Sequence, residues 1–270
     1  MPNDLGKVAV VITGELRSWA VSKRYIFEFF DQLQTSVDYY FITWNESSDY
    51  WFNTNGKIIP VDEQSIKESF DGRNLIQVKV EPVFANSKNT STFLLKAHLS
   101  KLANIYKRRY EFDNNFIYDH VIELRPDVFI TPSNDQRVIC KNFEIVVEEI
   151  FYDFNLQNNV PLIPDLYFRT TSLGHDIMST RNTYGRYGDL DKLQDLQRKG
   201  FEFDPMLGTR DVHFMLYDFI SQRRLLPIYK VRSEIKDIKV IRPNVPDRQE
   251  PYTIKEIDRY YNEHLNSVRN

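Results

Sequence analysis

The chain has 270 residues, 41% hydrophobic and 27% charged, the proportions of a soluble globular protein long enough to bury a full core. Basic residues number 35 and acidic ones 38; the net charge of −3 gives no electrostatic footprint for nucleic acid. A single cysteine, Cys140, excludes an internal disulfide and any site built from several thiolates.

Met1-Pro2-Asn3-Asp4 is polar, and the first apolar run follows too closely for a signal peptide. No run approaches the roughly 18 apolar residues of a membrane span. A cytoplasmic-type compartment is expected, and the sequons at Asn45 and Asn89 then read as chance matches.

Lys7-Val8-Ala9-Val10-Val11-Ile12-Thr13 predicts a buried strand stopped by Gly14. A helix follows over 22–34, with Ser22 as N-cap and Tyr25, Ile26, Phe29, Phe30 and Leu33 on one stripe. A second strand over 38–43 ends at Trp44-Asn45, and a polar, irregular loop covers 45–57. A short helix is expected over 63–70 and an alternating strand over 75–80. Ser91 or Thr92 caps a long helix reaching Tyr110, with Leu95, Leu99, Leu102 and Tyr106 at helical spacing. Its Lys107-Arg108-Arg109 cluster suits the negative end of the helix dipole.

Strands are expected over 121–124, 143–150 and 162–169, then helices over 172–184, 190–199 and 211–223. Short strands over 227–231 and 238–241, a linker over 243–251 and a terminal helix over 253–265 complete the chain. This alternation predicts an α/β fold, a mostly parallel central sheet flanked by helices. The sequence holds no internal repeat.

The run Tyr118-Asp119-His120-Val121-Ile122-Glu123-Leu124-Arg125-Pro126-Asp127-Val128-Phe129-Ile130 carries the most information. Its apolar residues suit a strand covered on both faces, and alternation would project Glu123, Arg125 and Asp127 together. Pro126 cannot donate to a sheet ladder, so the strand should end or bulge there. Three charges on a core strand are costly unless paired or holding a ligand. Ligands of open α/β sheets bind at the carboxyl ends of strands. The other reading is an Arg125–Asp127 salt bridge that closes the strand.

Only nine glycines occur, in neither a dinucleotide-binding nor a P-loop pattern, so side chains or a metal would have to neutralise any bound phosphate. At the exit of the first strand, Gly14 permits a tight turn and Arg17 offers a bidentate fork for phosphate. At the exit of the second, Trp44 adds a flat ring and Asn45 an amide. Asp165 is a candidate general base, or caps a turn after Pro164. Asp211 fits a helix N-cap, and His213 is a candidate to complete a metal site with Asp127. Asp189-Leu190-Asp191, the one literal Asp-x-Asp, is better explained by helix capping. Neither a Gly-x-Ser-x-Gly nor a His-Glu-x-x-His motif occurs.

The order of Gly14-Glu15-Leu16-Arg17, Phe41-Ile42-Thr43-Trp44-Asn45, Tyr110-Glu111 and Tyr118-Asp119…Arg125-Pro126-Asp127 resembles the GT-A-type glycosyltransferase-like proteins of phages, algal viruses and bacterial surface-glycan clusters. Pro164-Asp165-Leu166-Tyr167-Phe168…Ser172…Met178 and Asp211…Leu216-Tyr217 extend the likeness to about residue 230. The resemblance implies one GT-A-like domain over 1–242, with a nucleotide-sugar-binding half over 7–130 and an acceptor half over 131–242. Residues 243–270 would then form a linker and a packing helix. It implies transfer of a sugar from a nucleoside diphosphate sugar to a glycan or glycoprotein acceptor, with Mn²⁺ or Mg²⁺. Asp127 would act in catalysis and hold the metal, with Glu123 and His213 in support and Asp165 on the acceptor hydroxyl. Gly14, Arg17, Trp44, Asn45 and Arg125 would bind the donor. Arg125 stands where other GT-A enzymes carry the first acid of Asp-x-Asp. The alternatives are a non-catalytic carbohydrate- or nucleotide-binding module on the same fold and a sugar nucleotidyltransferase.

Overall fold

The computed structural model describes residues 6–32, 35–48, 58–83, 92–132, 145–147, 151–153, 160–162, 167–180, 229–231, 235–240 and 259. The strand β1 (Val8–Thr13) is buried along its whole length. It lies between β2 (Val37–Trp44) and β6 (His120–Leu124) and is parallel to both, with Val8 opposite Val37 and Val11 opposite Glu123. A strand with neighbours on both edges and helices on both faces has no solvated side, so its sequence is apolar without alternation.

Beyond β2 lies the parallel edge strand β5 (Leu75–Glu81), linked to β2 through β3 (Glu46–Ser48), β4 (Ile58–Pro60) and the helix α2 (Glu63–Glu68). The short strand β3 lies within the region expected to be an irregular loop and pairs antiparallel with β4, which follows that region. Beyond β6 come β11 (Tyr167–Thr170), β8 (Ile145–Val147) and β12 (Tyr229–Val231). The seven-stranded order is β12-β8-β11-β6-β1-β2-β5; β11 is antiparallel to both its neighbours and the remaining pairings are parallel. The α/β architecture with a mostly parallel sheet is therefore as expected.

Pleating sorts the central strands between two cores. Val8, Val10, Ile12, Phe41, Ile122 and Leu124 face α1 (Trp19–Asp31), while Ala9, Val11, Tyr40, Ile42 and Val121 face α3 (Thr92–Asp113). The first face carries an aromatic cluster that includes Trp19, Phe27, Phe30, Tyr39, Phe41 and Phe70. Trp19 packs edge-on against Phe41 at 4.7 Å, and Phe27 against Phe70 at 5.2 Å. Truncating such a buried ring to alanine typically costs about 3–5 kcal/mol.

The helix α1 begins three residues before the expected Ser22. The turn closed by Trp19 N–H donating to Leu16 O (2.8 Å) starts it early and buries Trp19. Ser22 is interior, and its hydroxyl meets the carbonyls of Ser18 and Pro126 instead of capping.

The strand expected over 162–169 is divided. Val160–Leu162 (β10) pairs with β9 (Phe151–Asp153), while β11 joins the main sheet. The run after Leu124 also divides at Pro126: β7 (Val128–Pro132) leaves the main sheet and pairs antiparallel with β13 (Ile235–Val240). The helix α4 (Ser172–Ser179) is capped by Thr171, whose Oγ1 accepts from Gly174 N–H at 3.1 Å. It is anchored on α3 by a partly buried ionic group in which Lys107 donates to Ser172 O at 3.2 Å, Ser172 Oγ to Glu111 at 2.6 Å, and Arg108 Nε to Asp176 at 2.7 Å.

The helices expected over 190–199 and 211–223, and the boundary at residue 242, lie outside the described residues. Of the terminal helix, only Arg259 is described, in helical conformation. Among the described residues no helix is long and apolar enough to cross a membrane.

His120, at the start of β6, is buried, and its Nδ1 has no hydrogen-bond partner among the described residues. Burial, with the Arg169 cation adding to it, lowers its pKa from 6.5 to about 4. The unfolded chain therefore takes up this proton first. Stability from the neutral imidazole is complete above pH 6.5 and is lost as pH falls toward about 4. The loss should be on the order of 3 kcal/mol. Urea unfolding at pH 7.5 and pH 4 should show it, and His120→Leu should flatten the dependence across that window.

Candidate functional site

Because β1, β2 and β6 are parallel neighbours, their carboxyl ends share one edge of the sheet, and the segments leaving them meet there. Gly14 has φ +136°, and a Cβ on it would lie 3.2 Å from Pro126 Cδ, so the exits of β1 and β6 touch at a position suited to glycine. Thr43 Oγ1 donates to Gly14 O at 2.7 Å, tying in β2. Ser22 joins α1 to the same turn through Pro126 O. Arg17 takes the left-handed conformation with φ +38°, and its N–H donates to Ser47 Oγ at 2.7 Å. This loop is defined at both ends, and Arg17 projects from its middle.

The guanidinium of Arg17 meets Asp127. Asp127 Oδ2 accepts from Arg17 Nη1 at 3.2 Å and from Arg125 Nη2 at 2.6 Å, and its Oδ1 accepts from Arg125 Nε at 2.8 Å. The Arg125–Asp127 salt bridge, one of the two sequence readings, is thus present, and Arg17 joins it from 110 residues away. The Asp127 side chain is only 1% exposed, while those of Arg17 and Arg125 are 13% and 16% exposed. A carboxylate so buried requires cationic partners, and removing one partner of a buried pair costs about 3–5 kcal/mol. The other edge of Arg17 is held by Glu15, whose Oε2 lies 2.8 Å from Nε and 2.5 Å from Nη2.

Glu123 does not project with Arg125 and Asp127. The pleat of β6 turns it, like Val121, toward α3, and the two-residue period does not continue through the Pro126 turn. Glu123 accepts from Thr13 Oγ1 at 3.1 Å and from Ser100 Oγ at 2.6 Å; His175 Nε2 lies 3.1 Å away. His175 Nδ1 is 2.9 Å from Asn104 Oδ1. Glu123, Thr13, Ser100 and His175 are all buried, so this network holds the end of β1, just before Gly14, against α3 and α4.

Trp44 is buried on the α3 face, its ring stacked on His98 at 5.9 Å with an interplanar angle of 11°. Burial lowers the His98 pKa, with Glu81 opposing. Asn45 serves the backbone: its N–H donates to Glu81 O at 2.7 Å, and its Oδ1 accepts from Val83 N–H at 2.9 Å. Asp165 and His213 lie outside the described residues. Glu15, His98 and His175 are polar members of this region that sequence reasoning missed. Glu15 alone left a signal, as the acid two residues before Arg17. Among the described residues no group of three His, Cys, Asp or Glu is placed to hold a metal ion.

No protein-family profile matches the sequence, and no curated protein matches it. Among solved structures the chain is similar to the crystal structure of the glycosyltransferase GlyE of Streptococcus pneumoniae TIGR4, with 8% identity and a TM-score of 0.34. The similarity covers 84% of this chain and 46% of that one, so the chain spans less than half the length of GlyE.

Gly14 and Gly72 differ twice over: Gly72 has φ +78° and an added Cβ there would meet nothing within 4 Å, whereas Gly14 has φ +136°, outside the left-handed helical region, and also faces Pro126. Gly72→Ala should cost only backbone strain, about 1–2 kcal/mol, and Gly14→Ala about 1 kcal/mol more. Urea midpoints of the two variants measure the difference; equal losses would show that neither the φ of Gly14 nor its approach to Pro126 adds to the cost.

Proposed function

We propose that the protein is a glycosyltransferase of hexosyl type, which moves a sugar from a nucleoside diphosphate sugar to a hydroxyl of a glycan or glycoprotein acceptor. The observation that carries this reading is the pair of partly exposed guanidiniums, Arg17 and Arg125, gathered around Asp127 at the carboxyl edge of a parallel sheet. With no glycine-rich phosphate loop in the sequence, side chains such as these, or a metal, would have to neutralise a diphosphate.

In the proposed reaction the bond between the anomeric carbon and the diphosphate oxygen breaks, and its electron pair leaves with the diphosphate. Fixed positive charge at Arg17 and Arg125 stabilises that departing anion. The acceptor hydroxyl oxygen bonds to the anomeric carbon and its proton passes to a base, the role proposed for Asp165. Trp44 is buried and stacked on His98 of α3, so it supports the exit of β2 from behind and is assigned no stacking on the nucleotide.

Mn²⁺ or Mg²⁺ would need free carboxylate oxygens. Both oxygens of Asp127 are engaged by guanidiniums, and those of Glu123 by Thr13, Ser100 and His175. The described residues therefore do not fit a divalent ion.

Incubation with a panel of sugar nucleotides should release free sugar and nucleoside diphosphate slowly from one of them. Arg125→Gln, which removes a charge at the leaving group, should lower kcat/KM for that donor by roughly 100-fold. Unchanged turnover in a folded Arg125→Gln protein refutes the role of Arg125. Binding of free sugar without any nucleotide would identify a non-catalytic module. Preference for nucleoside triphosphate with sugar phosphate would identify a nucleotidyltransferase.

A further inference from the structure

Among the described residues three that are not glycine have positive φ: Arg17 at +38°, Asp71 at +44° and Asn115 at +53°. Asp71 and Asn115 are short polar residues in exposed turns, the types that tolerate this region. Arginine has no such tolerance, so its conformation must be held from outside the residue. Two contacts hold it. Its backbone N–H donates to Ser47 Oγ at 2.7 Å, and its Nη1 donates to Asp127 Oδ2 at 3.2 Å.

Ser47 is buried on β3, three residues past the end of β2, and the backbone around it is fixed. Asn45 N–H donates to Glu81 O of β5 at 2.7 Å, Val61 N–H donates to Asn45 O at 2.9 Å, and Ser47 pairs opposite Ile59 of β4. A serine hydroxyl stands one bond from its backbone, so the acceptor offered to Arg17 is nearly as rigid as the strand. Thr43 Oγ1, from the same end of β2, donates to Gly14 O at 2.7 Å. The exit of β2 therefore grips the turn over 14–17 at both ends.

We propose that Ser47 is a positioning residue of the donor site, locking Arg17 in its left-handed conformation and so setting where the guanidinium stands. The proposal rests on the glycosyltransferase reading and adds to it the residue that aims the cation. A left-handed backbone sends the Cα–Cβ bond in a different direction from a right-handed one. Without the hydroxyl the Arg17 N–H loses its acceptor, the turn relaxes, and the side chain is carried away from Asp127 and the sheet edge. Nothing in this role requires a partner of the guanidinium to leave. Ser47 acts through Arg17, and the effect is largest when charge develops on the departing diphosphate.

The test is steady-state hydrolysis of UDP-, GDP-, ADP- and CDP-linked sugars by the full chain, carried forward with the donor that turns over. Ser47→Ala should lower kcat about tenfold with KM nearly unchanged, because a misplaced cation is felt chiefly in the transition state. Ser47→Thr keeps the hydroxyl on a residue suited to a strand and should restore most of that turnover. In an Arg17→Gln background, Ser47→Ala should cost nothing further, since the hydroxyl then has no guanidinium to aim. Should Arg17→Gln melt early by circular dichroism, Arg17→Gly supplies the same background with the backbone strain relieved. An unchanged kcat in Ser47→Ala, or an equal loss with and without Arg17, overturns the positioning role and leaves the glycosyltransferase reading standing. No hydrolysis of any of these donors by the unaltered protein overturns both.

Discussion

The Asp127 carboxylate, nearly excluded from water and held by guanidiniums from two distant parts of the chain, is the constraint around which the sheet edge is organised. A charge in that position is tolerated only if its partners are held at hydrogen-bond distance. Holding them requires a strained Arg17 backbone, a side-chain-free position at Gly14, and a Pro126 turn bound by Ser22. The exits of β1 and β6 and the first turns of α1 are thereby one unit, and Thr43 and Ser47 extend it to β2 and β3.

The opposite face has its own buried charge. Glu123 is satisfied by two hydroxyls and an imidazole, drawn from β1, α3 and α4. The position of α4 depends in turn on the ionic group formed by Lys107, Arg108, Glu111, Ser172 and Asp176. Burial lowers the Lys107 pKa while Glu111 and Asp176 oppose it, so the lysine remains a useful partner only as long as both acids stay close. A continuous polar path therefore supports Thr13, the last residue of β1, from behind. Polar networks of this kind rigidify when every member is satisfied. The proposed anion site, made from long arginine side chains, depends on such rigidity, since a freely rotating guanidinium gives up its directional advantage.

Local chemistry was legible where it depended on neighbours in the chain. The strand character of β1 and β6, the stop at Pro126, the helix beginning at Thr92 and the glycine turn after Thr13 all follow from residues within a few positions. Reading failed where a longer-range contact changed a local preference. Ser22 has the composition of a helix cap, but Pro126, 104 residues away, engages its hydroxyl inside the helix. The run over 162–169 has strand composition throughout, yet its two ends enter different sheets.

The sequence by itself determined the fold class, because hydrophobic periodicity reports which faces are buried. It also supplied the charged residues at the strand ends, because Glu, Arg and Asp beside apolar runs are visible without coordinates. Only the tertiary structure decided how those charges pair. Alternation along an extended chain placed Glu123 with Asp127, but a proline turn interrupts the alternation, so the two acids join separate networks. Arg17 and Asp127 become partners only when β1 and β6 lie side by side, and strand adjacency is a property of the assembled sheet that no local pattern encodes.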